Sequence, residues 1–297
     1  MPSGALADHE LEAARRRGFD VAYRMLGSVA EADDIAQEAL LRLARADWPV
    51  AEPVAWITTV ASRLSVDHLR LARVRRETYV GPWLPEPLID QRAPDPSARA
   101  ERADTLSLAF LVLLERLTPL ERAAFVLREV FDYGYPQIAE ILGRSEASCR
   151  QLVTRARRHV EAGRPRFDAD PALRDELLER FLAAADRGDL AGLEALLAED
   201  AVFYADGGGK RAAARRPVAG AARIARVMVG IARLRRRAAG RELSLVAVHG
   251  QPGLVVRSAG GVVTDVLSVD VAGGRIRTVR IVRNPDKLAH LSGGCAR

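Results

Sequence analysis

The chain is predicted to fold in two parts, all-α as far as residue 162 and α+β beyond it. Three observations carry this. Apolar residues recur at helical spacing over 8–77 and again over 98–162. Between them "TYVGPWLPEPLIDQRAPDPS" (78–97) places Pro82, Pro85, Pro87, Pro94 and Pro96 beside Gly81, which no helix continues through, and so reads as an extended linker. After Gly163 and Pro165 two short helical stretches give way to strand-like runs. A length of 297 residues also suits two or three compact units.

In the first helical part Ile35, Ala36, Ala39, Leu40 and Leu43 form one stripe, and Ile57, Ala61, Leu64, His68 and Leu71 a second. In the C-terminal part a helix with Leu173, Leu177, Leu178, Phe181 and Leu182 on one face precedes a shorter one around Leu193 and Leu196. The runs "AVFYA", "LSLVAV", "LVVRS", "VVTDVLSVDV" and "RIRTVRIV" read as strands, with a helix near 220–236 after the first. Gly273–Gly274 suits a hairpin turn.

The most informative stretch is "LTPLERAAFVLREVFDYGYPQIAEILGRSEASCRQLVTRARRHVE". Thr118 is an N-cap, Pro119 takes the first helical position and Glu121 completes a capping box. A short helix near 135–142 stops at Gly143, and Ser145 caps the next helix. There Cys149, Leu152, Val153, Ala156 and Val160 make the buried stripe, with basic residues on the remaining surface. A short helix, a tight turn and a basic second helix form a helix-turn-helix. Glu146, Ser148, Arg150 and Gln151 are then placed for base edges in a major groove, and Arg155, Arg157 and Arg158 for phosphates.

Net charge alone does not carry that reading. The overall charge is +6, yet residues 1–163 hold 22 Lys+Arg against 24 Asp+Glu, so the basic excess is C-terminal. DNA binding in the first half therefore rests on local clusters: Arg63, Arg70, Arg73, Arg75 and Arg76, and Arg150 to Arg158. The two cysteines, Cys149 and Cys295, have no CxxC or Cys/His spacing, so no zinc site or disulfide framework is expected. No apolar run approaches a membrane span and no leader pattern opens the chain, so a cytosolic protein without membrane contact is expected. No cofactor, metal or catalytic motif is found.

"EADDIAQEALLRLAR" followed by "PVAWITTVASRLSVDHLRLARVRR" resembles region 2 of a bacterial RNA polymerase sigma factor of the extracytoplasmic-function group, and 118–160 resembles its region 4. The resemblance implies that Asp33, Asp34, Gln37, Glu38 and Leu41 dock on the clamp helices of the polymerase β′ subunit. It implies that the loop 46–53 and the helix carrying Trp56, Arg63, Asp67, Arg70, Arg73 and Arg76 melt and read the minus-ten promoter element. Trp56 beside arginines suits stacking on exposed bases, although Arg63 stands where many members carry Asn. Glu146 to Arg158 would read the minus-thirty-five element.

"DELLERFLAAADRGDLAGLEALLAEDAVFYADGGGK" resembles the opening of a SnoaL-like domain, a cone-shaped α+β fold whose curved sheet wraps a pocket. "GPWLPEP", "DGGGK" and "NPDKL" in that order resemble the sigma-factor subgroup with such a domain fused at the C-terminus. The expected organisation is region 2 over 8–77, linker over 78–97, region 4 over 98–162 and a SnoaL-like regulatory domain over 170–291. Regulatory contacts are expected at Trp83, Leu84, Pro85, Glu86 and Pro87, at Asp206, Gly207, Gly208, Gly209 and Lys210, and at Asn284, Pro285, Asp286 and Lys287. Asp206 to Lys210 is no phosphate loop, because Arg211 follows the lysine and the glycines are contiguous. They allow close backbone approach, and Asp206 and Lys210 either pair locally or meet another segment.

Two other classes compete. A helix-turn-helix regulator with a ligand-sensing or enzymatic SnoaL-like domain would leave the acidic helix at 31–45 and the basic cluster at 63–76 without a role. An enzyme would draw on Tyr204, Asp206, His249 or Asp265 in an apolar pocket, where no spacing singles out a base. A small-molecule ligand in that pocket is a further expectation of the cone fold.

Overall fold

Helices α1 (Asp8–Leu26), α2 (Val29–Ala44) and α3 (Pro53–Glu77) open the chain. The computed structural model describes residues 7–46, 50–90, 107–163, 171–237 and 240–292; the side chains at 72–77, 90, 162–163 and 171 are outside that description. Ser28 caps α2 by accepting from the Glu31 amide. Ala14, Ala39, Leu43 and Ile57 form the local core. Gly18 lets the helices approach: a Cβ there would lie 3.1 Å from Ile57 Cγ2 and 3.5 Å from Ala36. The α3 stripe differs from the sequence reading. Leu71 is 66% exposed, and Thr58, Ser62, Ser65, Val66 and Leu69 are buried with Ile57 and Ala61. Thr58 Oγ1 returns its hydrogen bond to the helix at the Val54 carbonyl, 2.8 Å away, and a periodicity counted on apolar residues does not register small hydroxyl side chains in the buried stripe.

Helices α4 (Leu108–Leu114), α5 (Pro119–Glu129), α6 (Tyr135–Leu142) and α7 (Glu146–Gly163) follow. The Thr118–Glu121 capping box forms in both directions, and Gly143 ends α6 at φ 62°, as read from sequence. Ala124, Leu127, Ile138, Ile141, Cys149, Leu152 and Val153 pack as the helix-turn-helix core. Each fully buried aliphatic side chain there contributes roughly 1.5–3 kcal/mol. Arg122, buried in α5, donates to the Met25 carbonyl at the end of α1 and to Glu115 at 2.7 Å.

The α+β part holds α8 (Pro171–Arg187), α9 (Leu190–Leu196), β2 (Leu197–Asp206), β3 (Val218–Ala219), α10 (Ala221–Arg237), β4 (Glu242–Val248), β5 (Gln251–Arg257), β6 (Val263–Ala272), β7 (Arg275–Val282) and α11 (Pro285–Leu288). A two-residue strand from the proline-rich stretch, β1 (Ile89–Asp90), joins the sheet, whose order is β1-β4-β5-β6-β7-β2-β3. Neighbours are antiparallel except β2 with β7. Gly273 and Gly274, at φ 63° and 66°, make the β6–β7 turn between Ala272 and Arg275. Leu178, Phe181, Leu193, Phe203, Ile224, Val269 and Val279 sit in one core between the helices and one face of the sheet. The chain divides into two compact units, Met1–Thr78 with Leu111–Arg164, and Tyr79–Phe110 with Pro165–Arg297.

Candidate nucleic-acid interface and linker clasp

On α2 the stripe Ile35, Ala36, Ala39 and Leu43 faces inward, which leaves Asp34, Gln37 and Leu41 exposed and Asp33 and Glu38 half-buried. Leu41, one turn beyond Glu38, is 50% exposed, an apolar spot at the edge of the acidic face. Glu38 pairs with Arg42 at 2.7 Å and Asp33 with Arg15 at 3.5 Å. On α3, Trp56 is half-buried against the Ala14–Ile57 core and Asp67 pairs with Arg70 at 2.9 Å. Arg63 is engaged differently from the sequence reading: Nε donates to the Ile141 carbonyl at 2.7 Å and Nη2 to Glu140 at 2.9 Å. Those are last-turn carbonyls of α6, where a cation suits the negative helix end. The side chains of Arg73, Arg75 and Arg76 and the residues 47–49 of the expected loop lie outside the described residues.

Helix α7 presents Arg150, Gln151, Arg155, Arg157 and Arg158 outward, with Glu146 and Ser148 half-exposed at its start. Ser145 accepts from the Ser148 amide at 3.2 Å, the expected cap. Arg150 pairs with Glu146 at 2.7 Å, Arg155 with Glu121 at 3.2 Å and Arg157 with Glu129 at 2.7 Å. Of these, the Arg150–Glu146 and Arg157–Glu129 pairs are open to solvent and worth little. The guanidinium groups stay on the surface and can exchange a carboxylate for a phosphate.

The second constellation lies within the C-terminal unit. Asp206, the last residue of β2, is fully buried, and its carboxylate accepts from Tyr79 Oη at 2.5 Å, the Leu84 amide at 2.8 Å, the Gly208 amide at 3.1 Å and Lys287 Nζ at 2.7 Å. Lys287 Nζ also donates to the Leu84 carbonyl and lies 4.1 Å from the Trp83 ring centroid and 4.9 Å from that of Tyr79, a cation–π contact. Asn284 Nδ2 donates to Tyr79 Oη at 3.0 Å while its Oδ1 caps α11 at Asp286. Burial first, and then the bond to Asp206, push the Tyr79 phenol well above its usual range, so it stays a donor.

Asp206 and Lys210 do not pair with each other; Lys210 Nζ meets Asp286 Oδ2 at 2.5 Å. The glycines have distinct reasons. A Cβ on Gly207 would meet the Arg211 carbonyl at 2.3 Å and one on Gly208 would meet Asn284 at 2.2 Å. Gly209, at φ 72°, faces Val80 at 3.3 Å. Leu84, Pro85 and Pro87 are buried and Glu86 half-buried, and Pro285 is exposed. Two histidines finish the clasp. The His249 backbone amide donates to the Leu88 carbonyl at 2.9 Å and its Nε2 accepts from the Leu88 amide at 3.2 Å, which requires a neutral ring; His290 Nε2 sits 3.0 Å from the Pro87 carbonyl. His249 holds φ 52°, which the turn before Gly250 demands. Tyr79, His249 as a linker partner and His290 were missed, because nothing local in sequence marks a side chain as facing a partner 127 to 203 residues distant.

Residues 11–75 match the model for sigma-70 region 2 and residues 107–160 the model for sigma-70 region 4. Over 286 residues the chain is 39% identical to the extracytoplasmic-function (ECF) RNA polymerase sigma factor SigJ of Mycobacterium tuberculosis, covering 94% of this chain and 92% of that one. A probable ECF sigma factor of the same organism, SigI, is 33% identical, with 93% of each covered. The crystal structure of SigJ superposes with a TM-score of 0.75 at 36% identity, covering 95% of this chain and 98% of that one. The chain belongs to the ECF RNA polymerase sigma factors. Its two sigma-70 regions imply polymerase core and promoter DNA as partners. The helix-turn-helix of this sigma factor is its region 4, and the helices α1 to α3 with their acidic face are its region 2. The C-terminal unit packs helices α8, α9 and α10 on one face of its sheet, the α+β arrangement expected from the sequence. Among the described residues no helix is long and apolar enough to cross a membrane.

Proposed function

We propose that this sigma factor is controlled in cis through the linker, which its C-terminal domain holds by the Asp206 clasp. The observation that supports the reading is the buried carboxylate, which binds the linker twice, at Tyr79 Oη and at the Leu84 amide. The linker joins region 2 to region 4, so a segment pinned over 79–90 limits where the two regions can go. In this reading the acidic face of α2, with Leu41 at its edge, docks on the β′ clamp helices. Trp56, Asp67, Arg70, Arg73 and Arg76 serve the minus-ten element, with Arg63 once it leaves α6, and Glu146 to Arg158 serve the minus-thirty-five element. The SnoaL-like domain acts without chemistry, as a binding and positioning module.

The test is run-off transcription with purified core polymerase, comparing the full chain, a truncation after Gly163 and the Asp206→Ala variant. Promoter-dependent output that changes in the same direction in truncation and variant supports control through the clasp. Equal output from all three would remove it. Leu41→Glu, on an exposed position, is expected to weaken core binding at least tenfold with unchanged circular dichroism; unchanged binding would move the polymerase surface elsewhere.

A further inference from the structure

Between α8, α10 and the sheet the C-terminal unit keeps a cavity of about 110 Å3. Its inner wall is apolar, formed by Leu182, Met228, Ile231, Leu254, Leu267 and Ile281. Its polar groups are not scattered. Val266, next to Asp265, pairs across β6 and β7 with Val282, next to Arg283, and Val256 pairs across β5 and β6 with Asp265, while Arg241 immediately precedes β4, whose Glu242 lies opposite Arg257, so Arg241, Asp265 and Arg283 stand at the same end of the sheet. Arg235, from the last turn of α10, joins them on the cavity lining.

The charges at this end do not cancel. Arg283 Nε donates to Asp265 at 2.6 Å and Thr264 Oγ1 donates to the other oxygen at 2.7 Å, so Asp265 is occupied. Arg235 pairs with Asp186, which is itself 43% exposed. Arg241 makes no ion pair among the described residues. One guanidinium is thus left over at the mouth of an apolar cavity, and a second is held only by a half-exposed acid.

Apolar surface also continues outward from the cavity. Leu243 lies opposite Val256 and Leu245 opposite Leu254, so both share the face of the sheet that lines the cavity. Yet they are 41% and 52% exposed, and Leu234 on the rim is 66% exposed. Three leucines in water next to a lined cavity extend the apolar surface in one direction. The enclosed part alone is smaller than the ~150 Å3 that takes up benzene, so an occupant that reaches Leu243 and Leu245 is an unbranched chain, not a fused ring system.

We propose that the C-terminal unit binds a medium-chain aliphatic carboxylate, its chain along the Met228–Leu267 wall and out over Leu243 and Leu245, its carboxylate on Arg241 and Arg235. Where the regulatory reading above holds, this ligand is its signal; the binding itself stands apart from that reading. A bidentate guanidinium–carboxylate contact supplies the preference for an anion over a neutral or cationic head of the same chain.

The test uses the full chain carrying 13C-methyl methionine. The sequence has three methionines, Met1, Met25 and Met228, so one signal reports the cavity and another the first helix. Hexanoate, octanoate and decanoate are titrated, with octanol and octylamine as matched controls. The expected result is a saturable shift of the Met228 signal without movement of Met25, about fourfold tighter per added methylene, and about tenfold tighter for octanoate than for octanol. Arg241→Gln, half-exposed and outside the core, should remove that tenfold advantage and leave octanol binding as it was. Ile231→Trp, which fills the cavity, should abolish both, and circular dichroism reports whether it folds. No Met228 shift up to the solubility limit, equal binding of octylamine, or a preference that survives Arg241→Gln would each overturn the proposal. Transcription is measured separately, so a carboxylate that binds without altering output would refute its role as the signal and leave the site intact.

Discussion

Asp206→Asn tests the clasp at its centre. The wild-type carboxylate accepts four hydrogen bonds and faces Lys287, whose side chain is only 7% exposed. Asparagine keeps the shape and one acceptor oxygen but turns the other into a donor and leaves the ammonium without its counter-charge. Removing one partner of a buried pair costs about 3–5 kcal/mol, and the retained oxygen places the substitution near the low end, about 3 kcal/mol. At 1.4 kcal/mol per decade, that is about 100-fold in the equilibrium for local opening. Amide hydrogen exchange over 79–90 is the assay, because the Leu84 amide donates to Asp206 Oδ2 while the Leu88 amide donates to His249 Nε2. Leu84 should exchange about 100-fold faster, Leu88 less so, and the β6 amides around Val269 should hold. Adding Lys287→Met, which removes the stranded charge, should restore much of the protection. Unchanged Leu84 exchange, or equal acceleration at Leu84 and Val269, would refute a clasp that opens locally around this carboxylate.

The alkaline side offers an independent reading of Tyr79. Its phenol is raised in the folded chain above the unfolded value of 10.0, so above that pH the unfolded state has lost a proton the folded state keeps, and stability falls as pH rises. Thermal melts between pH 9 and 11 should show a steeper decline in the wild type than in Tyr79→Phe; parallel slopes would remove Tyr79 from the buried network. Arg63→Ala strips the last turn of α6 of its charged donor and should raise amide exchange across 140–146 while circular dichroism stays constant; unchanged protection there would show that the contact with the Glu140 and Ile141 carbonyls is incidental.

Elements whose signals are local were legible in the sequence. Thr118, Gly143 and Ser145 act within three or four residues of where they stand, and the Cys149 to Val160 stripe reports a single face, so the starts of α5 to α7 and the end of α6 could be read to within a residue. The Gly273–Gly274 turn was equally readable, since a two-residue hairpin calls for positive φ, which both glycines adopt here. The α3 stripe was misread because a helix that packs on two neighbours buries Ser62 and Ser65 where apolar counting looks for leucine. The clasp was half legible. Three separated motifs pointed to one another, and the contiguous glycines asked for close backbone approach. That Asp206 would choose Lys287 over Lys210 depends on which side of β2 its alternation faces once β7 lies alongside, and no local pattern states that register.

The end of β7 joins the cavity rim to the clasp. The Arg283 and Asn284 amides both donate to the Asp206 carbonyl, at 2.7 and 3.0 Å. Successive side chains then point to opposite faces: Arg283 reaches Asp265 on the cavity side, while Asn284 reaches Tyr79 Oη in the clasp. A change that releases Arg283 from Asp265 therefore pulls on a backbone whose next residue holds the linker tyrosine. Asp265→Asn makes that change without touching the clasp. It leaves Arg283 tied only to the Ala212 carbonyl and should accelerate Leu84 exchange by several-fold, well short of the Asp206→Asn effect, because Lys287 and Asp206 remain paired. Exchange at Leu84 identical to wild type would mean that rim and clasp are mechanically separate, and that a ligand on Arg241 and Arg235 has no route to the linker along this strand.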